Sequence, residues 1–240
     1  MIIMERRERI LEILEKKRTA TIRELAEKLF ISEASIRRDV EALEKAGQVR
    51  RIYGGVMLEK YHNAVVPLGF RESENSQIKE ELARRAAEMV QDGDTIMLDA
   101  SSTVRRMVKY LSGKRGVKII TNNLRIFSEE VAPDTQLYCT GGLFNAQNAL
   151  FYGAGAERYI RSLNADKCFF SSQGISEEGK ISDASEEETA LRRVMLSRSE
   201  RKIFLCDGTK LGVKRMFTLC GKEDVDEIIC NVKLPWEENK

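Results

Sequence analysis

Apolar residues at Ile10, Leu11, Ile13 and Leu14 recur at helical spacing, which predicts a first helix from about Glu5 to Lys17. Thr21 precedes "IRELAEKL", with Glu24 three residues on, the signature of a capping box, and Ile22, Leu25, Ala26 and Leu29 face inward. "FI" makes a short turn. Ser32 then caps a third helix, whose expected inner face is Ile36, Val40, Leu43 and Ala46. Gly47 stops that helix where a left-handed residue is wanted. "QVRRIYGGVML" reads as a strand, a Gly-Gly turn and a second strand. Residues 1–57 thus form a compact helical domain ending in a hairpin.

Residues 58–78 are polar, weakly periodic and contain Pro67, so they are expected to be a linker. From residue 79 to 240 the pattern changes to alternating strands and helices. Strands are expected at "TIMLDA", "VKIITN", "TQLYCTGG", "DKCFFSSQG", "RKIFLCDG" and "DEIICN". Helices are expected at "STVRRMVKYL", "LRIFSEEVA", "AERYIRSLN" and "EEETALRRVMLSRS". Near-continuous apolar strands separated by amphipathic helices indicate a mainly parallel α/β sheet covered on both faces.

Composition changes this picture little. The 240 residues are 42% hydrophobic and 32% charged, as in a globular protein. Apolar runs are too short to cross a bilayer, and the N-terminal stretch lacks the apolar core of a secretory signal, so a cytoplasmic protein without a membrane partner is expected. Five scattered cysteines, with no C-x-x-C, read as reduced thiols. The lone histidine, His62, has no partner pattern for a metal site or a catalytic triad. No cofactor, metal or catalytic residue is expected. Net charge is +2, and residues 1–60 hold 14 Lys+Arg against 11 Asp+Glu, so any case for nucleic acid rests on placement.

Placement points to DNA. Three short helices, the second and third joined by a tight turn, match a helix-turn-helix whose third helix enters the major groove. Its exposed front carries Ser35, Arg37 and Arg38. An arginine there reaches a phosphate or a guanine edge, and the hydroxyls of Ser32 and Ser35 suit phosphates. Arg50 and Arg51 sit on the hairpin strand, where alternation lets only one face a duplex; Arg51 is expected to be that one. Asp39 is expected to orient its neighbour Arg38.

These residues resemble the winged helix-turn-helix of DeoR-family transcription regulators. The resemblance runs through Ile31, Ser32, Ser35, Ile36, Arg37, Arg38, Asp39, Val40, Leu43, Glu44 and Gly47, then Arg51, Tyr53, Gly54 and Gly55. Ser35 stands where that family usually has threonine. The resemblance adds Tyr53 to the expected DNA-binding residues and implies a double-stranded operator as partner.

The α/β part carries a second candidate site. "LDASST" places Asp99 at a strand end, and Ser101, Ser102 and Thr103 open a helix, a hydroxyl-rich turn suited to an anion. Other strand ends supply Thr121 and Asn122, Gly141 and Gly142, Gly174, and Asp207 with Lys210. In an open parallel sheet such ends converge on one edge, where ligands bind. Lys210 is a charge partner for a phosphate, and Asp99 and Asp207 suit sugar hydroxyls.

This part also resembles the effector domain of the same family, whose Rossmann-like fold is similar to ribose-5-phosphate isomerase. The matching residues are "DGDTIMLDASST", "TNN", the Gly141–Gly142 pair, Gly153, Asp166, "ETALRRVM" and "DGTK". Ser101 replaces the glycine of the family's usual D-x-G-[ST]-T loop. The resemblance implies a phosphorylated sugar or sugar-alcohol effector, with Glu188 and Lys210 at polar positions of its site. It also implies a regulator, expected to be a repressor of carbohydrate genes acting as a homodimer or homotetramer. The alternative is a sugar-phosphate isomerase-like enzyme with an accessory helical domain, in which Asp99, Asp207 or Glu188 serves as general base.

Overall fold

The computed structural model describes residues 3–52, 55–61 and 68–237. Contacts divide the chain into two units, Met1–Glu74 and Asn75–Lys240.

The first unit contains α1 (Ile3–Lys17), β1 (Thr19–Thr21), α2 (Ile22–Leu29), α3 (Glu33–Lys45), β2 (Val49–Ile52), β3 (Gly55–Leu58) and α4 (Leu68–Ser73). Its antiparallel sheet has the order β1-β3-β2. The stripes read from the sequence meet here: Ile10 and Leu14 of α1, Leu25 of α2, Ile36 and Val40 of α3, and Val56 of β3 are all buried in one cluster. Each such side chain contributes roughly 1.5–3 kcal/mol. Gly47 ends α3 with φ 67. The Gln48 N–H reaches the Leu43 carbonyl at 3.0 Å and the Gly47 N–H reaches the Glu44 carbonyl at 2.9 Å, the paired bonds of a Schellman cap. Ala46, expected inward, is exposed, because the cap turns the chain away before that position. β1 is a further difference: three residues too short to show alternation, yet paired along β3.

The second unit begins with α5 (Ser76–Glu88), which with α4 occupies much of the stretch expected to be a linker. Lys79, Leu82, Ala83, Ala86 and Ala87 form the buried face of α5, a stripe the polar start of the helix conceals. There follow β4 (Thr95–Leu98), α6 (Ser102–Arg105), β5 (Lys118–Thr121), β6 (Gln136–Cys139), β7 (Leu143–Asn145), β8 (Leu150–Tyr152), α7 (Ala154–Arg161) and β9 (Ala165–Phe170). The unit continues with β10 (Gly174–Ile175), β11 (Lys180–Asp183), α8 (Glu186–Ser197), β12 (Ser199–Cys206), β13 (Phe217–Gly221) and β14 (Glu227–Cys230).

The main sheet is the expected parallel one, in the order β14-β12-β9-β4-β5-β6. Alternation sends Ile96, Leu98, Phe169, Ile203 and Leu205 into one apolar layer, and Met97, Phe170, Phe204 and Cys206 into the other. From β4 the chain steps outward to β5 and β6; from β9 it steps the other way to β12 and β14. The order reverses between β4 and β9, and in open parallel sheets ligands bind in the crevice past the carboxyl ends of the strands at such a switch point.

Two expected helices take another form. Residues 102–111 fold as the single α-turn α6 and a 3-10 turn at Val108–Tyr110. The bonds Met107 N–H to Val104 O and Leu111 N–H to Val108 O close three residues back. The apolar pairs Val104–Met107 and Val108–Leu111 have the three-residue spacing that eclipses in a 3-10 helix. Residues 124–128 are likewise 3-10, capped by Asn123 Oδ1 on the Arg125 N–H at 3.0 Å. The hairpin β7–β8 and the antiparallel sheet β10-β11-β13 are additions to the expected layout.

Candidate functional site

The helix pair of the first unit is set by its caps. Thr21 Oγ1 accepts the Glu24 N–H at 2.9 Å and Glu24 Oε2 accepts the Thr21 N–H at 2.8 Å, completing the expected capping box. Phe30 makes the turn with φ 54 and is 95% exposed. Ser32 Oγ then accepts the Ser35 N–H at 3.3 Å and donates to Ser35 Oγ at 3.1 Å. The two hydroxyls expected at phosphates are thus engaged with each other at the start of α3.

Arg37 and Arg38 are both exposed on α3. Arg37 pairs with Glu33 one turn back at 3.1 Å, a surface pair worth a few tenths of a kcal/mol and readily exchanged for a phosphate. Arg38 leans along its own helix, 3.4 Å from the Ala34 carbonyl and from Ser35 Oγ. Asp39 does not orient Arg38. It is 2% exposed and accepts hydrogen bonds from Arg6 and, at 3.3 Å, Arg7 of α1. Successive helical residues point about 100° apart, so Asp39 faces the core side while Arg38 faces solvent.

On the hairpin, Arg50 is opposite Met57 and Arg51 opposite Val56, so the two arginines point to opposite faces. Arg51 is tied to the end of α3: its N–H donates to Glu44 Oε1 at 2.9 Å and its Nε to Glu44 Oε2 at 2.6 Å. The side chain expected to touch DNA directly therefore braces the hairpin against α3. Arg50 is half-buried. Tyr53 and His62 lie outside the described residues.

In the second unit Asp99 follows β4 at the point where strand order reverses. Its carboxylate, 2% exposed, accepts the Ser101 N–H at 3.0 Å on one oxygen. The other oxygen accepts the Ser171 N–H at 3.1 Å and Arg192 Nε at 2.8 Å. Ser171 follows β9, so this carboxylate bridges the crevice. Ser171 Oγ in turn accepts from Lys210 Nζ at 2.8 Å, and Lys210 Nζ lies 3.5 Å from Asp207 Oδ2. Asp99, Ser101, Lys210 and Asp207, drawn from distant stretches, thus form one polar chain across three adjacent strands. Burial pushes the Asp207 carboxyl up, but Lys210, the hydrogen bonds from Thr209 and the charge of Lys79 outweigh it, and the net direction is down.

Arg192 is the centre the sequence reading missed. It is 4% exposed, and besides Asp99 it pairs with Asp183 at 3.1 Å and Glu188 at 3.6 Å. Ser185 caps α8 by accepting the Glu188 N–H at 3.1 Å, and the four-residue spacing of Glu188 and Arg192 aims both at the crevice. Three carboxylates around it hold the guanidinium's proton more tightly than usual, despite its burial.

Asp99, Asn122, Glu188, Leu191, Arg192 and Met195 line a small polar cavity. Asn122 donates through Nδ2 to the Phe151 carbonyl at 3.0 Å, which leaves its Oδ1 buried with no hydrogen-bond partner. Asn148 donates to Glu188 Oε1 at 3.5 Å, and its Oδ1 is unpaired in the same way. Such acceptors cost about 1–3 kcal/mol each when left unmade. They call for a group that donates hydrogen bonds.

The remaining expected residues have structural tasks here. Ser101 Oγ accepts the Val104 N–H at 3.1 Å, and Thr121 Oγ1 accepts the Asn123 N–H at 3.1 Å. Ser102 and Thr103 are buried in α6. Gly141 and Gly142 follow β6, both with positive φ; a Cβ on Gly142 would meet the Tyr152 carbonyl at 2.6 Å. Gly174 pairs with Ser182 inside the antiparallel sheet, where a Cβ would meet the Val213 carbonyl at 2.4 Å. None of these three glycines lines the cavity.

Two family models match the chain: the DeoR-like helix-turn-helix domain over residues 6–61 and the DeoR C terminal sensor domain over residues 74–232. The chain belongs to the DeoR family. It is similar to the HTH-type transcriptional regulator GolR of Listeria innocua, with 31% identity over 98% of this chain and 92% of the relative. It is also similar to the HTH-type transcriptional repressor GlcR of Bacillus subtilis, with 30% identity over 96% of this chain and 89% of the relative. Among solved structures it is similar to a D-ribose-5-phosphate isomerase in complex with phospho-erythronic acid, with TM-score 0.42 and 12% identity over 57% of this chain and 54% of that one. As a DeoR-family member the protein is a DNA-binding transcription regulator, and the enzyme alternative is set aside on that ground. No helix among the described residues is long and apolar enough to cross a membrane.

Arg192, Asp183, Ser171 and Asn148 escaped the sequence reading because each sits in an ordinary amphipathic, strand-end or turn context. The one signal was the i, i+4 spacing of Glu188 and Arg192, which also fits a surface pair.

Proposed function

We propose that this DeoR-family protein represses a carbohydrate-utilisation operon and that a phosphorylated sugar or sugar alcohol, bound where the sheet order reverses, modulates its hold on DNA. One observation carries the reading. At the switch point a cationic, hydroxyl-bearing group, Lys210 with Ser171, is joined through Asp99 to a cavity whose Asn122 oxygen needs a donor. A ligand with a phosphate at one end and hydroxyls at the other satisfies both. Glu188 lines the same cavity. The relatives support the regulatory half: one is named a transcriptional repressor and another a putative aga operon transcriptional repressor.

DNA is bound through the front of α3, with Arg37 and Arg38 on phosphates or base edges, and with Ser32, Ser35, Arg50, Arg51 and Tyr53 around them. A protein of this kind reads paired half-sites as a homodimer or homotetramer in the cytoplasm. Effector and operator are coupled by their different affinities for two arrangements of the protein.

A thermal-shift panel of sugar phosphates, the parent sugars and inorganic phosphate tests this, since a binder raises Tm by mass action. The expected result is a shift with one or more sugar phosphates, none with the parent sugars, and altered mobility of an operator complex at the same ligand concentration. A shift with the parent sugars alone would overturn the phosphate assignment.

A further inference from the structure

Cys206 ends β12 and Cys230 ends β14, and the two stand directly opposite each other in the parallel ladder. Neighbouring strands lie about 4.8 Å apart, inside the ~4.4–6.8 Å that a disulfide spans between α-carbons. Both side chains leave the same face. Cys206 lies within the apolar cluster of Phe204 and Met195 and Cys230 packs against it, whereas Leu205 and Ile229 point into the opposite layer. No other pair of the five cysteines is opposed in this way: Cys139 faces Thr121, Cys168 faces Met97 and Lys202, and Cys220 faces Ile181.

The pair is also unequal. Cys206 is fully buried and Cys230 partly accessible. The neighbouring Cys206 thiol, helped by the N–H groups of Val232 and Asn231 and opposed by burial, holds the Cys230 thiol down to about 6. The neighbouring Cys230, together with burial, pushes Cys206 up. Cys230 is therefore the more acidic thiol of the pair, while Cys206 Sγ donates to the Asp207 carbonyl at 3.4 Å. Cys168 and Cys220 are both pushed up by burial, Cys220 to about 12.

We propose that Cys206 and Cys230 form an oxidation site at which a hydroperoxide converts the two thiols to a reversible disulfide. The Cys230 sulfur attacks the terminal peroxide oxygen. The O–O bond breaks, and the leaving alkoxide (hydroxide, for hydrogen peroxide) takes up the proton released by the thiol. Cys230 becomes a sulfenic acid, and the peroxide is reduced to an alcohol or water. The Cys206 sulfur then attacks the Cys230 sulfur; the S–S bond forms, the S–O bond breaks, and water leaves with the Cys206 proton. The bond joins the ends of two strands whose following loops already touch, through the Gly208 N–H on Asn231 Oδ1 at 2.8 Å. One of those loops carries Lys210.

The test treats the full chain with hydrogen peroxide, blocks free thiols, and maps the peptides by mass spectrometry. The expected result is loss of two hydrogens, one cross-linked pair containing Cys206 and Cys230, and recovery with dithiothreitol. Cys206→Ser should stop Cys230 at a sulfenic acid that dimedone traps, while Cys230→Ser should leave Cys206 unmodified over the same interval. Oxidation of Cys230 to a sulfinic acid without cross-linking overturns the proposal, as does a cross-link through another cysteine. Dimedone labelling of Cys206 in the Cys230→Ser protein overturns the order of attack.

Discussion

Arg192 Nε lies 2.8 Å from Asp99 Oδ2, and 93 residues separate the two along the chain. The pair joins the first turns of α8 to the end of β4 at the point where strand order reverses. Asp183 and Glu188 share the same guanidinium, so one buried cation serves three buried carboxylates. A buried charge without its partner is costly, which makes this contact a structural keystone for the crevice.

Arg192→Met therefore leaves three carboxylates without their cation and should lower stability by about 3–5 kcal/mol. Arg192→Lys should recover only part, since one ammonium cannot reproduce the planar fork. Urea unfolding of the three proteins is the measurement. A loss below about 1 kcal/mol, typical of exposed pairs, would show that the cluster is not organised by Arg192.

Lys210→Ala removes the cation beside Ser171. Charged hydrogen bonds are worth about 1.5–3 kcal/mol, so affinity for a sugar phosphate should fall roughly ten- to a hundred-fold. Operator affinity without effector should stay unchanged. Calorimetry with the sugar phosphate found by the thermal-shift panel, and a mobility assay without it, read the two halves separately. Unchanged calorimetric affinity counts against the phosphate position.

The Asp207 carboxyl titrates below its ordinary value in the folded protein: burial opposes this, while Lys210, Thr209 and Lys79 outweigh it. In the unfolded chain it titrates near 3.9. The carboxylate thus adds stability that is complete well above that value and disappears as pH falls through it to the folded value. Asp207→Asn should flatten the acid limb of a Tm-against-pH curve as pH falls through about 4, the unfolded carboxyl's value, toward the lower folded value. Parallel curves for the two proteins would contradict the depressed pKa.

Arg38→Ala should weaken operator binding and leave effector binding intact. If the arginine holds a phosphate, the slope of log affinity against log salt falls by about one. If it reads a base edge, discrimination at one position falls instead. Affinity, slope and discrimination all unchanged would remove Arg38 from the interface.

Much of this architecture was legible locally. The Thr21–Glu24 box, the Ser32 cap and the Gly47 stop depend on residues within a few positions of one another, and each formed as read. The six strands were legible because alternate residues feed two apolar layers. Where the reading differed, a short-range signal was ambiguous. The three-residue apolar spacing at Val104–Met107 fits either an α- or a 3-10 helix, and the polar first turn of α5 concealed its buried stripe.

The sequence by itself determined the caps and turns of the helical part, the parallel alternation, and the family resemblance carried by "SIRRD" and "LDASST". Those follow from interactions between chain neighbours and from the period with which apolar residues recur. Only the tertiary structure decided the partners of long, flexible or alternating groups. It gave Asp39 to Arg6 and Arg7 rather than to Arg38, tied Arg51 to Glu44, and gathered Asp99, Asp183 and Glu188 around Arg192. It also set Cys206 beside Cys230. Such pairings depend on strand order, register and the direction of each side chain, and these are fixed when the whole core closes.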